Sequence, residues 1–311
     1  MKRILLAVVV LVLVGALIRV YRANRLLRVD FWTHRPADTV LPAPTGLYAD
    51  FLGPYVHDPQ ADLGLSYESV QFKAKDGEPL RGWLVRGDAR STTAVVMVHG
   101  LGADRRNMLD QVPLFHRLGH TVLLFDCRNH GISGGDGIGP SGGVHESEDV
   151  ASAAAFLKND LRSFRKVLAF GISQGAASSI LAAGRDQTID GVIAAAPFED
   201  LAGMIAGVAR GRGAPRLMAT VVGSVIAWRM GAGSDSPLKA VANLAPRPLF
   251  LMHGTDDDQI SNQSSRDLYA QAGEPKQLWL VDGANHWTVL SKRRDELAER
   301  LTAFMTKYFP Q

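Results

Sequence analysis

Short apolar segments alternate with helical stretches through most of this chain, which restricts it to folds built around a buried sheet covered by helices. Residues 94–98, 121–125, 166–170 and 191–194 are candidate inner strands, and helical stretches intervene near 107–118 and 146–157. Ahead of them, residues 70–73 and 80–85 flank Asp76-Gly77, a hairpin signal. The 311 residues could hold two domains, but the alternation and the absence of an internal repeat predict one domain behind an N-terminal appendage.

One junction in this series carries chemistry. The apolar run 167–170 leads into Gly171-Ile172-Ser173-Gln174-Gly175, and the small residues 176–183 that follow predict a helix, with Gly184 suited to its C-cap. Strand, tight turn bearing a serine, then helix is the layout of a nucleophile elbow, where flanking glycines permit strained backbone and close packing. Gly131–Gly135 and Gly139–Gly143 match the same pattern. No strand directly precedes either of them, so Ser133 and Ser141 are expected to be turn residues.

A serine hydroxyl is a poor nucleophile at neutral pH and needs a base oriented by an acid. His286 is the only histidine after His253, and it falls just beyond the apolar segment 278–281. The apolar segment 248–252 is followed by His253-Gly254-Thr255-Asp256-Asp257-Asp258, which offers three neighbouring carboxylates. The chain order is then Ser, Asp, His, the order found in α/β-hydrolases.

From about Ser66 onward the chain resembles the α/β-hydrolases, close to the serine aminopeptidase-like or dienelactone-hydrolase-like branch. The resemblance lies in Val98-His99-Gly100-Leu101-Gly102, Asp126-Cys127-Arg128-Asn129-His130-Gly131, the elbow at Ser173, His253-Gly254-Thr255-Asp256-Asp257 and Gly283-Ala284-Asn285-His286. It implies an α/β fold with a mostly parallel central sheet, an antiparallel start, helices on both faces and a small helical cap insertion. The family pattern H-G-x-x-D-x-x-V selects Asp257 as the acid, with Ile260 in the usual valine position. Asn285 stands where a glycine is common, a change expected to have no consequence. The backbone N–H of Gln174, after the nucleophile, and that of Leu101 are the expected oxyanion donors. No metal or organic cofactor is implied.

The remaining motif residues are expected to be structural. His99 orders the turn below the oxyanion donors, while Asp126, Arg128 and His130 pin the loop after a strand. Cys127, the only cysteine, is a packed small hydrophobe. Asp256 and Asp258 are solvated loop carboxylates.

The segment of about 199–243 interrupts the alternation and is expected to form the cap. Met218, Val221, Val222 and Val225 lie at helical spacing, with Ile226, Trp228 and Met230 adding apolar surface. That helix either packs on the core or lines the substrate site. Arg210, Arg212 and Arg216 among glycines suggest a solvated turn, with contact to anionic lipid as the alternative.

Residues Ile4 to Ile18 form an uninterrupted run of 15 apolar or glycine residues, flanked by Lys2-Arg3 and by Arg19, Arg22, Arg25 and Arg28. As a helix it reaches roughly 22 Å at 1.5 Å per residue. That is short of a hydrocarbon core of ~30 Å, but Val20, Tyr21 and snorkelling arginines extend it. No small-x-small cleavage site closes the run, so a retained single-pass anchor over residues 1–28 is expected in preference to a cleaved signal peptide. Charges on the two flanks are nearly balanced and do not set its orientation. A proline-rich linker over 29–65 then leads to the hydrolase domain at 66–311. The first 28 residues hold six of the 34 basic residues and no acid, leaving 28 basic against 31 acidic residues beyond them. The basic character therefore belongs to the anchor, and nucleic acid is not an expected partner.

The function expected is that of a membrane-anchored serine hydrolase cleaving an ester, thioester or amide of a small-molecule or acyl-chain substrate through Ser173, Asp257 and His286. An acyltransferase using the same triad, and a non-catalytic membrane-tethered binding module on this fold, are the alternatives.

Overall fold

The computed structural model describes Gly15 and residues 57–310, apart from 136, 138, 162, 163 and 234. Strands β1 (Glu68–Lys73), β2 (Pro79–Val85), β3 (Thr93–Val98), β4 (Thr121–Asp126), β5 (Lys166–Ile172), β6 (Gly191–Ala195), β7 (Leu249–Gly254) and β8 (Lys276–Val281) form one sheet in the order β1-β2-β4-β3-β5-β6-β7-β8. The β1–β2 and β2–β4 pairings are antiparallel, and every other pairing is parallel. The β1–β2 hairpin turns at Gly77, whose φ of 97° a side chain would resist.

The inner strands are apolar throughout because both faces of the sheet are covered. Val96, Leu123 and Ala169 point into one core with Val150 and Ala153 of α3 (Val144–Ala155) and Ile180 of α4 (Gln174–Arg185). Their neighbours Val95, Leu124 and Leu168 point into the other, with Phe115 of α2 (Val112–Arg117) and Leu301 and Phe304 of α9 (Arg294–Tyr308). The short helix α1 (Pro59–Leu63) is capped by Asp58, and Leu63 and Leu65 pack on this second core.

Helices α5 (Leu201–Gly211) and α6 (Arg216–Arg229) are inserted between β6 and β7 and are followed by α7 (Pro237–Ala240). Asp200 Oδ2 accepts from Gly203 N at 2.6 Å and starts α5. Gly223 brings the two helices together: a Cβ there would lie 2.4 Å from the Ala202 carbonyl oxygen. Helix α8 (Gln263–Gln271) lies between β7 and β8.

Three expectations are corrected. The predicted helix at 107–118 is a 3-10 turn, Arg105–Gln111, followed by α2, with Pro113 in the first turn of α2. Gly184 is not a cap, since α4 continues to Arg185 and Asp186 ends it; a Cβ at Gly184 would sit 2.6 Å from the Ala240 carbonyl oxygen of α7, so the glycine serves close packing. Met218, Val221 and Val225 neither pack on the core nor line a site; they are exposed. Helix α6 buries its small residues Ala219, Gly223 and Ala227 instead. The Ile4–Ile18 run and linker residues 29–56 lie outside the described residues, Gly15 excepted. Among the described residues no helix is long and apolar enough to cross a membrane.

Candidate active site

The C-terminal ends of β3, β5, β7 and β8 open on one edge of the sheet, the place where parallel α/β sheets carry their sites. Ser173 follows β5 with φ 55° and ψ −121°, a sparsely populated conformation for a residue with a side chain. The turn is tight enough to demand its glycines. A Cβ on Gly171 would lie 2.2 Å from the Gly175 carbonyl oxygen, and one on Gly175 would lie 2.3 Å from that of Val98. The serine is thus presented between the end of β5 and the start of α4 by a backbone that cannot relax.

His286 comes from the loop after β8. Its Nε2 stands 3.1 Å from Ser173 Oγ and its Nδ1 2.7 Å from Asp257 Oδ2. With the carboxylate accepting at Nδ1, Nε2 is the nitrogen left to receive a proton from the serine. Asp257 lies in the loop after β7, its side chain fully buried. Its Oδ1 accepts from the backbone N–H groups of Gln259 at 3.0 Å and Ile260 at 2.8 Å. Burial pushes its carboxyl up, but hydrogen bonds from His253 and His286, the positive field of His286 and the Ile260 N–H outweigh it and hold the group well below the carboxylate range. Asp256 and Asp258 are exposed, and Asp256 is bonded by the Thr255 hydroxyl at 3.1 Å.

Two contributors to this arrangement were not read from the sequence. His253 is buried, with Nε2 3.2 Å from Asp257 Oδ2, so a second imidazole holds the acid. Asn285 also matters: its Oδ1 accepts from Trp287 N at 3.1 Å and Thr288 N at 3.0 Å, closing the turn that carries His286. An Asx turn just after a strand was the available signal for the second.

Leu101 and Gln174 both border the cavity beside Ser173 and His286. The loop that carries Leu101 passes within contact distance of Ser173, since a Cβ on Gly100 would lie 3.5 Å from Ser173 Cβ, and Gly100 N donates to Asn107 Oδ1 at 3.0 Å. Beneath the loop His99 is buried, its Nδ1 2.8 Å from the Gly100 carbonyl oxygen and its Nε2 accepting from Cys127 N at 3.1 Å. Burial lowers its pKa and that of His130, the latter to about 4. His130 Nε2 accepts from Gly102 N at 3.4 Å, tying the β4 loop to the glycine loop.

The other candidates are structural. Ser133 Oγ donates to the Asp126 carbonyl oxygen at 2.6 Å and accepts from Arg81 N at 2.8 Å, while Ser141 pairs with Glu146. Asp126 Oδ2 is 2.7 Å from Arg105 Nη1, and Arg128 bridges Asp149 and Asp76. Cys127 lies in the core, where burial pushes its thiol up. Among the described residues, no cluster of three or more His, Cys, Asp or Glu is placed to hold a metal.

A cavity of about 310 Å³ opens over Ser173. The cap helices contribute apolar side chains, Met204, Ile205 and Val208 of α5 with Ile226 of α6, and Asn107, Asp110, Gln111 and Ser291 are among the polar residues of the lining. A strained serine hydrogen-bonded to an imidazole, that imidazole bonded to a buried carboxylate, and a largely apolar cavity make an arrangement that can support acyl transfer.

Residues 95–300 match the alpha/beta hydrolase family, and the chain belongs to it. Among curated proteins it is similar to the uncharacterized protein YqkD of Bacillus subtilis, at 30% identity over 74% of this chain and 76% of that one. The polyketide transferase ATR5 of Stachybotrys chlorohalonatus is 27% identical over 73% of this chain and 92% of its own. Among solved structures, the esterase Pf2001 of Pyrococcus furiosus aligns with a TM-score of 0.66 at 23% identity, covering 81% of this chain and 94% of that structure.

Proposed function

We propose that the protein is a membrane-tethered serine hydrolase acting on an ester or thioester with an apolar acyl group, or on the corresponding amide. The observation that carries this is the continuous hydrogen-bonded series Ser173–His286–Asp257, opening into an apolar cavity. Ser173 Oγ attacks the acyl carbonyl while His286 Nε2 takes its proton. Asp257 holds the imidazole tautomer and stabilises the imidazolium. The backbone N–H groups of Leu101 and Gln174 receive the developing oxyanion. His286 then returns the proton to the leaving group, and water attacks the acyl-enzyme by the same path, freeing the acid and restoring the serine.

A second reading replaces that water by an alcohol, amine or thiol acceptor. The relative named as a polyketide transferase favours it, because acyl transfer to an acceptor needs the same groups with water excluded. The discriminating experiment incubates the full chain with acyl esters of graded chain length, with and without added acceptors. Free acid as the dominant product supports the hydrolase, a transfer product supports the transferase, and no Ser173-dependent product of either kind contradicts both.

The tether is inferred from the Ile4–Ile18 run and its basic flanks. The full chain is expected to stay with membranes through high salt and carbonate washes, which strip electrostatically held proteins. Deleting Met1 to Arg28 should release it with activity on small esters intact. Release of the full chain by carbonate would contradict a spanning tether.

A further inference from the structure

Helix α6 turns one side to the cavity and another to solvent, and the solvent side is unusual. Leu217, Met218, Val221, Val225 and Trp228 are exposed, from 37% at Val225 to 79% at Leu217. At 3.6 residues per turn these five positions fall within an arc of about 100°. The buried Ala219, Gly223 and Ala227 lie on the opposite arc, against α5. Large apolar groups outward and small ones inward reverse the usual amphipathic order, and a contiguous exposed apolar patch marks an interaction surface.

The charge around this stripe narrows the partner. Between Leu201 and Gly233 there are four basic residues, Arg210, Arg212, Arg216 and Arg229, and no Asp or Glu. All four are exposed at the ends and flank of the stripe. A second copy pairing through this face would bring four more arginines and no carboxylate from the same segment. The chain's own Ile4–Ile18 run, with six basic residues and no acid in the first 28, carries the same sign. A partner that is apolar and negatively charged satisfies both observations.

We propose that this face of the cap docks on an anionic phospholipid surface, with Leu217, Val221 and Trp228 entering the acyl boundary and the arginines among the headgroups. Trp and Arg favour that depth, and each arginine near an anionic surface contributes roughly fivefold to partitioning. Docking sets the apolar wall of the cavity, built by Ile205, Val208 and Ile226, one helix layer from the lipid. The proposal rests on the tethered reading only for bringing the cap within reach of a membrane.

The test uses the full chain with Val221→Cys carrying an environment-sensitive dye; Cys127 is buried and its thiol pushed up, so labelling is confined to position 221. Vesicles are of phosphatidylcholine alone or mixed with phosphatidylglycerol. Flotation reads attachment of the chain and the dye reads the cap, so failure of the tether and failure of docking are distinguishable. The expected result is a blue-shifted, brighter dye only on the phosphatidylglycerol vesicles. Replacing the four arginines by glutamine should weaken docking on the order of a thousandfold while leaving turnover of a short water-soluble ester unchanged. A dye that stays water-exposed on excess anionic vesicles overturns the proposal, as does equal burial on both vesicle types. Burial without lipid overturns it too, assigning the face to a second copy if it depends on protein concentration and to the chain's own segment if it does not.

Discussion

His253 Nε2 lies 3.2 Å from Asp257 Oδ2, the same oxygen that meets His286 Nδ1 at 2.7 Å, so two imidazoles hold one carboxylate. His253 Nε2 also faces the Ile260 carbonyl oxygen at 2.9 Å, and with two acceptors before it that nitrogen carries the proton. Its Nδ1 then accepts from the Ser265 hydroxyl at 2.7 Å. His253 is buried and does not line the cavity, so it is placed to position the acid rather than to touch a bound substrate.

His253→Leu should therefore lower kcat by about ten- to a hundredfold, the loss expected for one charge-assisted hydrogen bond to a buried carboxylate. KM for a small ester should change little, and His253→Gln, which can return an N–H to the same place, should recover part of the loss. Steady-state kinetics on the three proteins decides it; an unchanged kcat in His253→Leu would mean that His286 alone orients the acid.

Asp257→Asn should cost on the order of 10⁴ in kcat through the wrong imidazole tautomer. Asp256→Asn and Asp258→Asn, both exposed, should fall within a few-fold of the parent. Comparable losses at Asp256 would place the acid one residue earlier than the structure does.

The apolar wall predicts chain-length selectivity. Ile205→Trp fills space on the cap side of the cavity and should depress kcat/KM for long acyl esters while sparing acetyl esters. A uniform loss across chain lengths would argue that the acyl group lies elsewhere.

The buried histidines should make the fold sensitive to acid. Burial lowers His99, and brings His120 and His130 to about 4. In the unfolded chain they titrate near about 6.5. Between those values these histidines bind more protons in the unfolded state, so their contribution to stability is full above about 6.5 and falls as pH drops toward about 4, while Asp149, which burial raises to about 7, contributes with the opposite sign. Asp257, held low in the fold, continues the loss below that window. Chemical denaturation of the parent and of His130→Asn across pH 4 to 7 isolates one of them: the parent should lose stability relative to the variant as pH falls, and parallel profiles would contradict the burial argument.

The strands and the elbow were legible because both report backbone requirements. Apolar runs such as 94–98 must be buried on two faces, and Gly171 and Gly175 leave no room for a Cβ. The approach of Ser173, Asp257 and His286 could be anticipated because each follows the end of a strand in the same sheet. His253 was hidden because its partner stands four residues on, across a loop whose path no periodicity encodes. The cap misled for a different reason. Spacing assigns the large residues of α6 to the inside, whereas its tight contact with α5 requires Gly223 and two alanines there. The helical spacing of Leu201, Met204, Ile205 and Val208 in α5, which line the cavity, went unread and could have marked its wall.

Every proposed step begins at Ser173 as the nucleophile, and mapping the adduct of a fluorophosphonate probe on the full chain tests it. A single adduct on the peptide containing Ser173, absent in Ser173→Ala and retained in Ser133→Ala and Ser141→Ala, is the result predicted. Undiminished labelling of the Ser173→Ala chain, or an adduct mapped to Ser133 or Ser141, would contradict it.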